Sequence, residues 1–437
     1  MVVKANALNP KQLMKTLTLS LLASTLLAPQ AIAGGDLVAI RVGRAETVSQ
    51  GTIEHAVILL EDGKIVTIGQ DLPIARGIPT LDRPNWTVMP GLINAYSRIG
   101  LQGSGSTGSD AHLMASAELY PRDAVYADLV DFGFTTFGLY PAGSGIPGQA
   151  VAIRPIGDTA KSLIIRNKVY LKIRLASNAG SKKMLRDGFG LVDKFDEKEA
   201  KRLEKWEKDQ EKAKKKKKKS KKDDDKDDDK EDEKEEKPKD AASDEFVSNQ
   251  PDEKAQPFAQ LRAGELSALF SIRRASDFIH LIDALDEEEI TWNLRVPLRD
   301  DIDLYEVIDQ IGELEKCVIV EPRLTQHPST RRLRNLPLEL SEAGASLAFI
   351  PLRDSFGGHE DWRMNVAALI RDGMDRDIAL RAMTLGPAEL LGLGDRVGSL
   401  EAGKDANLVF LTGDPFEASS KVEAVMLEGK VVFGELN

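Results

Sequence analysis

The hydrophobic rhythm of the chain changes twice. Residues 36–90 alternate apolar and polar positions, with turn residues between short runs. Val57-Ile58-Leu59-Leu60 gives way to Glu61-Asp62-Gly63-Lys64 and then to Ile65-Val66-Thr67-Ile68. Asp-Gly between two such runs is a strong signal for a tight hairpin. The far end reads the same way, with apolar runs at 407–411, 422–427 and 431–433, the last two divided by Glu428-Gly429-Lys430. Either end alone makes a few strands with an uncovered apolar face. The pattern therefore predicts that 34–88 and 386–437 pack together as a small composite β-sandwich. Between them, short strand-like runs (87–96, 134–140, 170–175, 266–272, 291–296, 317–320, 346–351) alternate with amphipathic stretches (121–132, 274–285, 304–312, 363–371, 375–383). That alternation predicts an α/β region over 89–385, with a parallel sheet either doubly wound or closed as a barrel.

Residues 191–257 interrupt the pattern. From Asp193 to Lys212 the only large apolar side chains are Phe195, Leu203 and Trp206, which suits a protruding, coiled-coil-like helix. Lysine-rich and aspartate-rich blocks follow, and they carry too little apolar surface to offset the entropy of ordering, so this insertion is expected to be disordered. The other end of the chain reads as an address. Lys4, Lys11 and Lys15 precede the apolar run 17–28 and the small-x-small site Ala31-Ile32-Ala33. These are the parts of a secretory signal over 1–33, cleaved after Ala33, which predicts a periplasmic or secreted protein. The run is too short to cross a bilayer, so no transmembrane segment is expected in the mature chain.

Composition narrows the chemistry. With 59 basic and 70 acidic side chains the net charge is -11, which speaks against a nucleic-acid partner. The single cysteine, Cys317, excludes an internal disulfide and a Cys-rich zinc site. Lying in an apolar run, it reads as an inert core thiol. Five histidines among 437 residues are a thin stock of metal ligands.

Two motifs carry a family resemblance. Val88-Met89-Pro90-Gly91-Leu92-Ile93-Asn94-Ala95, preceded by the hairpin ending Ile68-Gly69, is similar to the entry of the amidohydrolase superfamily, where Pro-Gly-Leu-Ile-Asp-Ala leads into His-x-His on the first barrel strand. Residues 379–393 and then Arg396-Val397-Gly398-Ser399-Leu400-Glu401-Ala402-Gly403-Lys404-Asp405-Ala406-Asn407 resemble its exit, closest to the imidazolonepropionase-like branch. The resemblance implies a (β/α) TIM-like barrel with a sandwich built from both ends. Without its insert, the middle region is shorter than the roughly 250 residues of a full eight-unit barrel. One unit is therefore expected to be shortened, with long loops near 103–108 and 143–148.

The family hydrolyses carbon–nitrogen bonds other than peptide bonds with a water activated by zinc or another divalent metal. Carried over residue by residue, the resemblance puts Tyr96 and Arg98 in the His-x-His places and Asn94 in place of aspartate. Ser271 falls where the fifth strand has histidine, and the sixth-strand segment 292–297 has none. Lys172 corresponds to a fourth-strand lysine that some members carboxylate, and Asp354 to the last-strand aspartate. Arg never deprotonates to become a ligand, so no metal cofactor is expected. His359-Glu360-Asp361 reads as a polar loop. Tyr96, Arg98, Ser271 and Asp354 then line a vacated pocket, with Arg98 favouring a small anionic ligand. Three functions follow. The first is an exported, catalytically degenerate pseudoenzyme that binds a ligand or partners an active amidohydrolase-like subunit in a homo- or hetero-oligomer. The second is an active hydrolase with an atypical metal site and Asp354 as its catalytic residue. The third is an envelope scaffold acting through the charged insert.

Overall fold

A computed structural model describes residues 37–105, 107–121, 124–223, 245–300 and 302–436. The leader at 1–33 lies outside the described residues, as does 224–244 of the insertion. No described helix is long and apolar enough to cross a membrane.

The two ends of the chain do meet. β1 (Val38–Glu46), β2 (Thr52–Glu54), β3 (Ala56–Glu61), β4 (Lys64–Gln70) and β5 (Thr80–Pro90) come from the N-terminal side, and the chain closes with three further strands at Leu408–Leu411, Val422–Leu427 and Lys430–Gly434. All eight belong to one hydrogen-bonded sheet. Leu408–Leu411 pairs antiparallel with β5, and β5 runs parallel to β1. A two-layer sandwich was the sequence expectation, and it becomes one continuous mixed sheet, because β5 supplies a shared edge to both halves. Its buried face is Ile40, Val42, Ile58, Ile65, Val88, Leu408, Phe410 and Met426. The Asp-Gly signal forms the expected hairpin: Glu61 pairs with Lys64, and Asp62 and Gly63 both take positive φ, 49° and 78°. A Cβ on Gly63 would sit 2.5 Å from the Glu428 carbonyl oxygen, so the turn tips from opposite chain ends touch and only glycine fits.

The middle builds a second eight-stranded sheet from β6 (Leu92–Ser97), β7 (Phe134–Leu139), β8 (Gly148–Ile153), β9 (Ile164–Arg174), β10 (Ala268–Ser271), β11 (Trp292–Arg295), β12 (Cys317–Val320) and, after a short hairpin of β13 (Thr325–Gln326) and β14 (Leu333–Arg334), β15 (Ser346–Phe349). Their order follows the chain from β6 to β15, and the sheet is a nearly closed barrel. Helices Arg376–Met383 and Leu385–Leu390 pack on both edge strands, β6 and β15. Neighbours run parallel except at β8, which is antiparallel to β7 and β9. This is the irregular unit. The glycine-bearing link 140–147 contains no helix, and a parallel return needs a crossover of a dozen or more residues. Inside the barrel lie small side chains (Ala95, Ala150, Ala152, Ala348) with Ile93, Tyr170, Leu269 and Ile319. At the entry, a Cβ on Gly91 would lie 2.0 Å from Thr135 Oγ1, which is why the Pro-Gly step opens β6.

The described part of the insertion takes in the stretch 193–212 read as a helix and the lysine block after it, while the aspartate-rich block lies mostly outside the described residues. One helix spans Ala179–Asp223. Its first turns are anchored by Leu185, Phe189 and Val192 in the core. Farther out it is carried by strong helix formers and by pairs such as Glu204–Lys208 and Glu211–Lys215 at i, i+4, an order that supports an exposed helix. The returning chain is clasped to it: Glu199 accepts from the Asn249 backbone N–H (3.0 Å) and Nδ2 (2.9 Å), and the Phe246 ring lies 4.7 Å from the Arg202 guanidinium carbon.

Candidate functional site

Catalytic groups of such barrels sit at the carboxyl ends of the strands. There, the register of β6 on β7 slips between Asn94 and Ser97. The slip separates the two positions that a regular strand would aim together. Tyr96 turns into the barrel and stacks on Tyr140, ring centroids 4.0 Å apart. Its hydroxyl interacts with those of Tyr140 and Ser271. Burial raises the pKa of both phenols, so they stay protonated and neutral. Arg98 lies beyond the strand end. Its guanidinium donates to the Tyr140 carbonyl (2.9 Å) and the Gly103 carbonyl (3.0 Å), and pairs with Glu118 at 3.3 Å. Arg98 was expected to offer its charge to a ligand, and these loop contacts occupy it instead.

Three cations surround the stacked rings. Lys172 Nζ is 3.8 Å from the Tyr140 centroid and 5.7 Å from that of Tyr96. The Arg295 and Arg98 guanidinium carbons are 5.5 Å from Tyr96 and 6.0 Å from Tyr140. Arg295 is buried and forks onto Glu321. Lys172 is only 7% exposed and has no carboxylate partner among the described residues. Burial, then the charges of Arg98, Arg174 and Arg295, push its ammonium from 10.5 down to about 7.

Asp354 stands apart from this group. It accepts from Ser97 Oγ at 2.7 Å and from the Arg98 backbone N–H at 2.6 Å, so it ties the end of β15 to the end of β6 across the seam of the barrel. His359 lies behind β6. Asn94 Nδ2 is 3.0 Å from His359 Nε2, and His359 Nδ1 is 2.8 Å from the Ser355 carbonyl. With Nδ1–H donating to the carbonyl, Nε2 accepts from the amide. Burial lowers the pKa of this histidine. Glu360 and Asp361 face solvent. Cys317 lines the interior, and burial pushes its thiol up to about 12.

The structure thus brings Tyr96, Ser271 and Lys172 together, leaves Arg98 at their margin and puts Asp354 to another use. Tyr140 and Arg295 join them without any motif to announce them. Their signal is parity: Arg295 is a charge inside a short apolar strand, on the inward face with Asn293, and Tyr140 follows the all-buried β7. Among the described residues, no three of His, Cys, Asp or Glu come together as a metal site would require.

A sequence model of the amidohydrolase family matches residues 357–432. Over that segment the chain is similar to the amidohydrolase family. An amidohydrolase from Thermotoga maritima MSB8 has the same fold, with a TM-score of 0.66 over 91% of this chain and 100% of its own, at 20% identity. A prolidase solved with N-methylphosphonate-L-proline gives 0.50 over 91% and 100%, at 13% identity. No curated protein matches the chain.

Proposed function

We propose that this chain is an exported pseudoenzyme, an amidohydrolase frame that binds a small ligand at the mouth of its barrel and does not hydrolyse it. The observation that carries this reading is the group gathered at the family's ligand positions: a protonated tyrosine stack ringed by Lys172, Arg98 and Arg295. A divalent cation does not fit there. One guanidinium roughly 5 Å from a dication repels it by about 7 kcal/mol at an effective dielectric of about 20. The phenols offer no anionic oxygen, and Asp354 already serves Ser97 and the Arg98 amide. Export rests on the leader sequence alone, and partnership with an active amidohydrolase-like subunit rests on the family likeness.

Metal analysis of the purified full chain tests the proposal. The expected content of zinc, manganese and iron is far below one per chain, with no change in melting temperature on chelation. Stoichiometric metal, with amidase activity that disappears in Asp354→Ala, would establish the active-hydrolase reading instead. A role for the insert as an envelope scaffold requires that deleting 211–240 alter envelope association; unchanged association removes it.

A further inference from the structure

We propose that the carboxyl ends of β9, β10 and β11 form a binding site for a small molecule with at least two anionic oxygen groups. This deepens the reading of the barrel mouth as a binding site and rests on it. It moves the anion from Arg98, whose guanidinium is occupied, to a second set of arginines.

Register makes the case. Ser271 of β10 lies opposite Arg174 of β9 and Arg295 of β11. The three parallel strands therefore end with Arg174, Ser271 and Arg295 in one row. Just past the strand ends the chain carries Arg273 and Arg274, two and three residues beyond Ser271, and Arg299, four beyond Arg295. Arg273, Arg274 and Arg299, with Asp300 and Asp303, line a cavity of about 460 Å³, within the size range of sites for small molecules. Among the described residues, no carboxylate forms an ion pair with Arg174, Arg273, Arg274 or Arg299.

The acids nearby are committed to other groups. Asp300 accepts from Arg323 at 3.0 Å, and Asp303 from the Ala275 backbone N–H at 3.0 Å. Asp277 accepts from the Ser177 and Arg273 backbone N–H groups at 2.7 and 2.9 Å. Burial, then the charges of Arg174 and Arg299, hold the Arg273 guanidinium below its ordinary value against the opposing pull of Asp277, and Arg174 also acts on Lys172. One positive field thus runs from the tyrosine stack to the cavity, in a chain whose net charge is -11. Planar guanidinium forks suit paired oxyanions, and an anion there would meet arginines that no carboxylate of the described residues pairs within ion-pair distance.

Calorimetry on the full-length protein tests this, with pyrophosphate and citrate as probes and glycerol as the uncharged control. Saturable binding of pyrophosphate, citrate or both at one site per chain is expected, weaker at 200 mM than at 50 mM sodium chloride, with no binding of glycerol. Arg273→Gln and Arg299→Gln, both at exposed positions, should each weaken binding by about tenfold while keeping the wild-type circular dichroism and melting temperature. Tighter binding of pyrophosphate assigns a phosphate ligand, and tighter binding of citrate a polycarboxylate. Wild-type affinity in the double variant, or no saturation by either probe at millimolar concentration in low salt, overturns the site. Stoichiometric metal in the same preparation would instead overturn the pseudoenzyme reading, so the two failures are distinguishable.

Discussion

Replacing Lys172 by methionine should make the protein more stable at neutral pH and below. The side chain is 7% exposed, has no carboxylate partner among the described residues, and has its ammonium pushed from 10.5 to about 7. Keeping it protonated in the folded state costs about 5 kcal/mol, at about 1.4 kcal/mol per pH unit of displacement. An apolar side chain of similar length escapes this penalty. The sign follows from linkage. Between about pH 7 and 10.5 the unfolded chain holds a proton that the folded chain has released, so wild-type stability rises with pH across that window. The penalty is fully present below pH 7 and gone above 10.5. Urea denaturation of the wild type and Lys172→Met at pH 6, 8 and 10 reads this directly, since every other titrating group cancels in the difference. The variant should lead by about 5 kcal/mol at pH 6 and converge on the wild type towards pH 10. A difference independent of pH, or a variant less stable at pH 6, would refute the account.

Other positions give sharper structural tests. Glu46, 1% exposed, accepts from Arg376 at 2.8 Å and Thr52 at 2.8 Å. Glu46→Gln leaves Arg376 with Asp414 as its remaining carboxylate and should cost about 3 kcal/mol in urea titration; a loss below 1 kcal/mol would contradict the pairing. Gly91→Ala places a methyl group 2.0 Å from Thr135 Oγ1 and should destabilise by about 2–3 kcal/mol, seen as a lower denaturation midpoint; an unchanged midpoint would mean that β6 and β7 part easily. Because burial lowers the His359 pKa, the unfolded chain takes up the proton first, and stability falls as pH drops below about 6.5. His359→Phe should lose about 2 kcal/mol at pH 7.5 by unpairing Asn94 and the Ser355 carbonyl, yet decline less between pH 7 and 5 than the wild type. Parallel declines would show that other groups carry the acid sensitivity.

Much of the frame was legible because local patterns and pairing agree. The Asp62-Gly63 turn, the Pro90-Gly91 entry and the shortened unit near 143–148 each have a local cause that survives folding. Two features have causes that local pattern does not show. Nothing within 34–88 reveals that β5 will serve both halves of one sheet, since that depends on partners more than 300 residues away. The composition of 191–223 signals solvation correctly, but Leu185, Phe189 and Val192 nucleate a helix that ion pairs then extend. At the site, the motif positions Tyr96, Lys172 and Ser271 converge as their strands dictate, whereas the register slip at Asn94–Ser97, invisible in sequence, decides that Arg98 faces the loops.

The clasp between Glu199 and Asn249 has a consequence for how this insertion can come loose. Cutting the tie at Glu199 would loosen the return segment 247–249 and the helix beyond Arg202 together, while the ion pair of Arg262 with Asp193 still holds the base of the excursion.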